Sequence, residues 1–148
     1  MTTRSSRSWV EPAAGSRFVQ MLASGFSTTL NIHQGWAWVV IIGNGLAGLW
    51  ALAANWLTPL RTRALWWFIG IAEGTVFVQV TLGAILVGRY KVPLPQFHAF
   101  YGFVAIIAVA IIYSYRFQMK HRLYLLYGFG SLFVMGLGIR AMLIVSGR

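Results

Sequence analysis

Residues 36–57 read "WAWVVIIGNGLAGLWALAANWL", and no side chain in this stretch is charged. Its length is close to the ~20 residues that an α-helix needs to cross the hydrocarbon core of a bilayer. Three further apolar stretches follow at residues 64–88, 96–115 and 123–145. The joints between them are short, and they hold most of the chain's prolines. Short joints favour antiparallel neighbours, so the sequence predicts an all-α membrane protein built as an up-down-up-down four-helix bundle.

The composition agrees with a membrane protein. Of the 148 residues, 58% are hydrophobic and 9% are charged, whereas soluble domains carry about 25% charged residues. The net charge is +10, and the basic residues mostly flank the apolar stretches, where they meet lipid headgroups. We therefore expect membrane lipids and other integral membrane subunits as partners, and no nucleic acid. The expected location is a bacterial cytoplasmic membrane. The sequence does not predict which end of the bundle faces the cytoplasm, because the two ends carry nearly equal numbers of basic residues.

The residue inventory excludes several kinds of chemistry. Cysteine is absent, which removes disulfides, thiolate metal sites, covalent c-type haem attachment and cysteine nucleophiles. Glu11 and Glu73 are the only carboxylic side chains. The residues that catalytic carboxylate pairs and Ser-His-Asp triads require are therefore almost absent. We expect no catalytic residues and no catalytic activity of the chain's own.

The residues before the first span divide into two segments. Residues 1–15 are rich in Ser, Thr and Arg, and they are predicted to be a flexible tail. Residues 16–32 are predicted to be an amphipathic helix that lies in the membrane interface, ahead of a four-helix domain at residues 33–148. The apolar residues that recur at a spacing of four are Phe18, Leu22, Phe26 and Leu30.

An internal repeat places two histidines at equivalent positions. Residues 31–42 read "NIHQGWAWVVII" and residues 96–107 read "QFHAFYGFVAII", so that His33 matches His98. The first and third spans run in the same direction, so both histidines are predicted at one depth and at one end of the bundle. One hypothesis makes each an interfacial residue bonded to a headgroup or a loop carbonyl. The other makes them the two iron ligands of a b-type haem between facing helices.

Other polar residues within the spans are candidates for a site, because ionisable residues inside a bilayer are rare. Arg140 is predicted ~8 Å inside the histidine end of the fourth span, where it could meet a haem propionate or reach a lipid phosphate. Glu73 is predicted ~22 Å from that end, as a proton-handling group or a contact to another subunit. Asn44 and Gln79 are further candidates for buried polar residues.

Small residues recur at helical spacing on all four spans. This pattern favours close packing between helices, and the alternative is that it clears space for a flat ligand. The residues are Gly43, Ala47, Gly70, Gly74, Gly102, Ala105, Ala108, Gly128, Ser131 and Gly138.

The succession of the second and third spans resembles known haem proteins. Residues 77–87 read "FVQVTLGAILV", a Pro-containing joint follows, and residues 97–105 read "FHAFYGFVA". Over residues 33–115 the chain resembles the haem-binding four-helix units of the haem A synthase and cytochrome b561-like families. The resemblance implies that paired histidines on alternate helices ligate haem, which corresponds to His33 and His98 here. The chain has one such unit where the synthase has two, and it lacks the synthase's acidic residue near a histidine, so synthase activity is not implied.

Three functional hypotheses follow. The first is a small integral membrane subunit of a respiratory or photosynthetic electron-transfer complex, with one b-type haem between His33 and His98. The second is a cofactor-free accessory subunit that stabilises a larger membrane complex. The third is a transporter or proton pathway built on Glu73.

Overall fold

The computed structural model describes residues 14–147, and within this range it contains α-helices and short 3-10 helices but no strand. Each α-helix is long and apolar enough to cross a membrane. The predicted all-α membrane bundle is therefore confirmed. The helices are α1 (Ala14–Trp56), α2 (Arg63–Tyr90), α3 (Gln96–Tyr115) and α4 (Leu123–Ser146), with 3-10 turns at Thr58–Leu60 and Lys120–Arg122.

Helix α1 is longer than the sequence pattern predicted. Its 43 residues correspond to ~64 Å, about twice the thickness of a hydrocarbon core. No break separates the predicted interfacial helix at residues 16–32 from the first span, because one helix runs through both. No proline lies between residues 13 and 58, so nothing removes a backbone donor and ends the helix there. Of the predicted tail, residues 1–13 lie outside the described range.

The turn between α1 and α2 is held by side chains that satisfy backbone groups at the helix ends. Arg61 donates from Nε to the Ala54 carbonyl and from Nη2 to the Asn55 carbonyl, both at 2.8 Å. A cation is favourable at this position because the last carbonyls of a helix carry partial negative charge. The hydroxyl of Thr62 caps α2 by accepting the Leu65 N–H at 3.4 Å. The chain thereby reverses direction.

Helix α2 ends at Lys91, which adopts the left-handed conformation with φ 54°. The Lys91 N–H donates to the Val87 carbonyl at 3.1 Å, and the Val92 N–H donates to the Leu86 carbonyl at 3.3 Å. This pair of bonds uses the free carbonyls at the helix end. Two prolines follow before α3 begins. The joint returns the chain to the end of the bundle that holds His33, called the histidine end below.

The helices form a ring in which α1 packs between α2 and α4, and α3 packs on α4. Helices α1 and α3 lie diagonally across the ring. The approach of α1 to α4 is the closest, because a Cβ built at Gly48 would lie 2.8 Å from the Gly128 carbonyl oxygen. Helices α2 and α3 touch at few points.

The prediction of close packing by small residues holds for only part of the molecule. Gly128 lies against Leu52, and Gly138 lies against Ile41. Gly70 and Gly74 are exposed, and a Cβ at either would have no neighbour within 4 Å. The prediction is therefore wrong at these two positions of α2, which face outward.

Candidate functional site: a histidine pair at one end of the bundle

His33 and His98, 65 residues apart in the chain, come together at the histidine end. The centres of their rings lie 6.0 Å apart, and the ring planes are inclined at 67°. His33 is on α1, more than five helical turns after its start, and His98 is in the first turn of α3. Both side chains are half-buried. Their meeting requires that they point inward from diagonal helices at the same level.

A backbone carbonyl of α4 orients the ring of His98. The Nδ1–H of His98 donates to the Ala141 carbonyl at 3.1 Å. With the proton on Nδ1, the Nε2 atom keeps a free lone pair. His98 therefore has one nitrogen that is fixed by the protein and another that is available as a ligand or proton acceptor.

His33 is less well satisfied than His98. The side-chain amide of Gln79 on α2 donates from Nε2 to His33 Nε2, at the long distance of 3.4 Å. His33 Nδ1 and Gln79 Oε1 are both buried without a partner among the described residues. On the same side of the ring, a Cβ built at Gly83 would lie 3.3 Å from His33 Cε1. The site therefore holds one ring nitrogen and one amide oxygen that form no hydrogen bond with the described residues.

The site has two protein ligands for a metal and no more. Within residues 14–147 no group of three or more His, Cys, Asp or Glu side chains could hold an ion. An ion bound by His33 and His98 must therefore bring its remaining ligands with it.

Arg140 does not touch the histidine pair. Its side chain is exposed at the histidine end, but the residue that follows it is Ala141, whose carbonyl orients His98. Arg140 is therefore next to the site in the chain, and its side chain lies on the surface of the bundle.

The other buried polar residues divide between this site and the middle of the bundle. Gln79 belongs to the site through His33. Asn44 is fully buried, and its amide donates to the Val40 carbonyl at 2.9 Å and to the Ala72 carbonyl at 3.1 Å, which ties α1 to α2. Glu73 lies six residues before Gln79, or ~9 Å along the axis.

Glu73 lies in the first half of α2, further from the histidine end than Gln79. It is 7% exposed, its Oε1 atom has no partner among the described residues, and it interacts electrostatically with Tyr127 of α4. Ser131 lies one helical turn after Tyr127, and its buried hydroxyl oxygen also has no described partner. Glu73 is therefore not part of the histidine site.

Sequence reasoning missed the residues that complete the site. The Ala141 carbonyl and Gly83 carry no chemical signature in a single sequence, because one contributes only backbone and the other only space. Trp36, which the repeat pairs with Tyr101, donates from Nε1 to the Thr75 carbonyl at 3.1 Å. It joins α1 to α2 near the histidines.

No family model matches the chain, and no curated protein or solved structure is similar to it. The resemblance to the haem A synthase and cytochrome b561-like families stays a prediction.

Proposed function

We propose that the chain is a small integral membrane subunit of an electron-transfer complex in a bacterial cytoplasmic membrane, and that His33 and His98 are the axial ligands of one b-type haem. The observation that carries the proposal is the 6.0 Å between the two ring centres. Histidines from diagonal helices of a bundle are a common way to hold a metal cofactor in its core.

The distance between the rings suits one metal ion held between them. Two imidazoles on opposite sides of an ion have ring centres about 6 Å apart, because each metal–nitrogen bond is about 2 Å and each ring nitrogen lies about 1 Å from the ring centre. The separation of 6.0 Å matches this sum.

The hydrogen bonding of His98 also supports a ligand role. Metal-ligating histidines almost always donate their second ring N–H to a carboxylate, a carbonyl or a water, which fixes the tautomer. His98 makes this bond to the Ala141 carbonyl. His33 makes no such bond in this structure, because its Nδ1 atom has no partner among the described residues and Gln79 contacts its Nε2 atom.

The loosely packed contact between α2 and α3 is where a flat group could enter the bundle. Helices α2 and α3 touch at few points, and each presents a glycine near the histidine end. Gly83 faces His33, and a Cβ at Gly102 would lie 3.8 Å from the nearest atom of Val80. Neither helix therefore carries a bulky side chain at these positions.

The chain's residues have three tasks in this proposal. His33 and His98 bind the iron, Gln79 and the Ala141 carbonyl orient their rings, and Arg140 provides a cation for a propionate at the surface of the bundle. A haem held by these residues would supply one-electron transfer.

The test is an absorption spectrum of the protein purified from haem-replete cells. The wild type is expected to show a Soret band and, when reduced, a sharp α-band. His33→Ala and His98→Ala should each lose the reduced spectrum of a six-coordinate haem. His121→Ala is the matched control, because His121 is the third histidine of the chain and is exposed in the joint between α3 and α4.

Two results would overturn the proposal. A colourless wild-type preparation that stays colourless when haem is added contradicts haem binding. A haem spectrum that is the same in the wild type and in both site variants contradicts the assignment of the ligands, even though it leaves a haem protein.

One observation favours the second hypothesis, a cofactor-free accessory subunit. Helix α1 continues about ten residues beyond Gly25, which packs against Tyr90 at the end of α2. Phe18, Val19 and Met21 in this extension are each more than 60% exposed, and a neighbouring subunit would cover them. Gentle solubilisation should then yield one larger assembly that contains the chain, whereas a free monomer or homodimer would contradict this role.

A further inference from the structure

The joint between α3 and α4, residues 116–122, has cations without anions. It contains Arg116, Lys120 and Arg122. Glu73 is the only carboxylic side chain between residues 14 and 147, and none of the three cations forms an ion pair with the described residues. A partner for this charge must therefore come from outside the described chain.

Arg116 shows the need for an anion most directly. Its guanidinium carbon lies 3.8 Å from the ring centre of Tyr113 and 4.4 Å from that of Phe117. The two aromatic rings hold the group by cation–π contact. Its Nε atom is nevertheless buried and has no acceptor among the described residues. A buried donor on a charged group is unfavourable without an acceptor, so this site is incomplete.

A cavity of about 280 Å³ opens beside Arg116. One part of its wall carries the two cations Arg116 and Lys120, and the rest is aromatic or aliphatic. A phosphate group at the charged part would accept a charge-assisted hydrogen bond from the guanidinium of Arg116. The residues that line it are Trp66, Arg116, Phe117, Lys120, Leu123 and Tyr127.

A second feature lies on the other flank of the same joint. A groove of about 450 Å³ runs between α3 and α4, with Arg122 at its outer end and Phe133 at its inner end. Apart from Arg122 its walls are apolar, and they include Ile112, Leu126 and Phe129. Eleven residues separate its ends, which corresponds to ~16 Å, or about half of a ~30 Å hydrocarbon core. The groove therefore has the length of an acyl chain in one leaflet.

We propose that the α3–α4 joint binds an anionic phospholipid whose phosphate lies at Arg116 and Lys120. Three cations within seven residues select a headgroup with net negative charge over a zwitterionic one. Glu73 interacts with Tyr127 on the wall of the cavity, and the charge of the joint exceeds that of this single carboxyl. Basic pockets between spans are known to take anionic lipid headgroups. This site is at the opposite end of the bundle from the histidines, so it does not depend on haem.

The test uses the purified full chain in a neutral detergent, with phosphatidylglycerol and phosphatidylcholine added in equal amounts. Native mass spectrometry measures how much of each lipid stays bound, and the melting temperature is measured with each lipid separately. Phosphatidylglycerol is expected to be retained and to raise the melting temperature. Each cation is expected to contribute about a fivefold preference, the equivalent of about 1 kcal/mol. Added salt should reduce the preference because it screens exposed charges.

The variant Arg116→Gln/Lys120→Gln should lose the preference for phosphatidylglycerol. The matched control is Arg89→Gln/Lys91→Gln, which removes the same charge at two exposed positions at the histidine end, and it should retain the preference. If the double variant fails to fold, Lys120→Gln alone removes an exposed cation and leaves Arg116, whose Nε atom is buried, in place. It should then reduce the preference about fivefold.

Three outcomes overturn the proposal. Equal retention of the two lipids by the wild type contradicts a selective site. An equal loss of the preference in the site variant and the control shows that only net charge matters. Stabilisation by inorganic phosphate that equals stabilisation by phosphatidylglycerol shows a site for a free anion and not for a lipid.

Discussion

The α1–α4 interface and the α2–α3 interface use glycine in opposite ways. Between α1 and α4, a Cβ at Gly48 would lie 2.7 Å from Leu132 and 2.8 Å from the Gly128 carbonyl, which is closer than real Cβ atoms approach. Between α2 and α3, a Cβ at Gly102 would meet Val80 at an ordinary 3.8 Å. The first interface has no space to spare, and the second is loosely packed.

This difference separates the part of the bundle that fixes the fold from the part that can accept a ligand. Without a hydrophobic driving force between helices in lipid, close backbone approach is what holds spans together. The α1–α4 pair supplies this contact, and α3 is held on its other side by α4. Helix α2 can therefore contact α3 weakly without loss of the fold, and the histidine site lies next to this weak contact.

The largest effect is expected at the tight interface. Gly48→Ala adds one methyl group that meets a backbone carbonyl, which cannot rotate away as a side chain could. We expect a loss of about 2–3 kcal/mol in the free energy of unfolding. Gly74→Ala makes the same chemical change on an exposed face with no neighbour within 4 Å, and it should be neutral or stabilising by up to about 1 kcal/mol. Unfolding in detergent micelles measures both, and equal stability of the two variants would contradict the contrast between the interfaces.

The second prediction concerns Gln79 and rests on the proposed haem site. Gln79→Leu keeps the volume of the side chain and removes the polar partner of His33. Loss of such a partner typically weakens metal binding by about 10–100-fold. Haem titration of the apoprotein measures the affinity. The control is Thr81→Val, because the Thr81 hydroxyl is exposed and bonds only to the Phe77 carbonyl of its own helix. Equal affinities in the two variants would remove Gln79 from the site.

The third prediction separates binding from folding on the loose side. Gly83→Ala would bring a methyl group to 3.3 Å from His33 Cε1, so the ring must tilt. We expect haem affinity to fall about fivefold, the equivalent of about 1 kcal/mol of overpacking, with little change in melting temperature of the apoprotein. Gly88→Ala, five residues further along α2 with no neighbour within 4 Å, should retain the affinity. A fall in apoprotein stability without a change in affinity would show that Gly83 serves packing alone.

The extent of the spans could be predicted because it depends on a physical length. A stretch of apolar residues must match the bilayer, and residues 96–115 were predicted as a span that the structure gives as α3, Gln96–Tyr115. The first helix was harder. The change from a mixed to an apolar pattern near residue 33 predicted a boundary between two segments. Such a change alters only the surroundings of the helix. It removes no backbone hydrogen bond, so α1 continues.

The site could be predicted only where the chemistry resides in side chains. The repeat placed His33 and His98 at one level, and the structure brings their rings together. The atoms that orient them depend on how the helices pack, since the carbonyl of Ala141 is chemically the same as any other. The buried Nε–H of Arg116, which has no acceptor among the described residues, was missed for the same reason. The sequence shows a cation in a basic joint, whereas only the packing of α3 and α4 shows that its Nε atom is buried.

The smallest effect is expected at the α1–α2 contact, which is intermediate between the two interfaces. Trp36→Phe keeps an aromatic ring and removes one hydrogen bond, from Nε1 to the Thr75 carbonyl. Hydrogen bonds between membrane helices contribute about 0.6 kcal/mol on average, so unfolding should be easier by about this amount. Trp38→Phe is the control, because Trp38 is 55% exposed and contributes no such bond. Trp36→Phe could instead lower haem affinity more than it lowers stability. The contact between α1 and α2 would then serve to position His33, and α1 would belong both to the part that fixes the fold and to the part that binds haem.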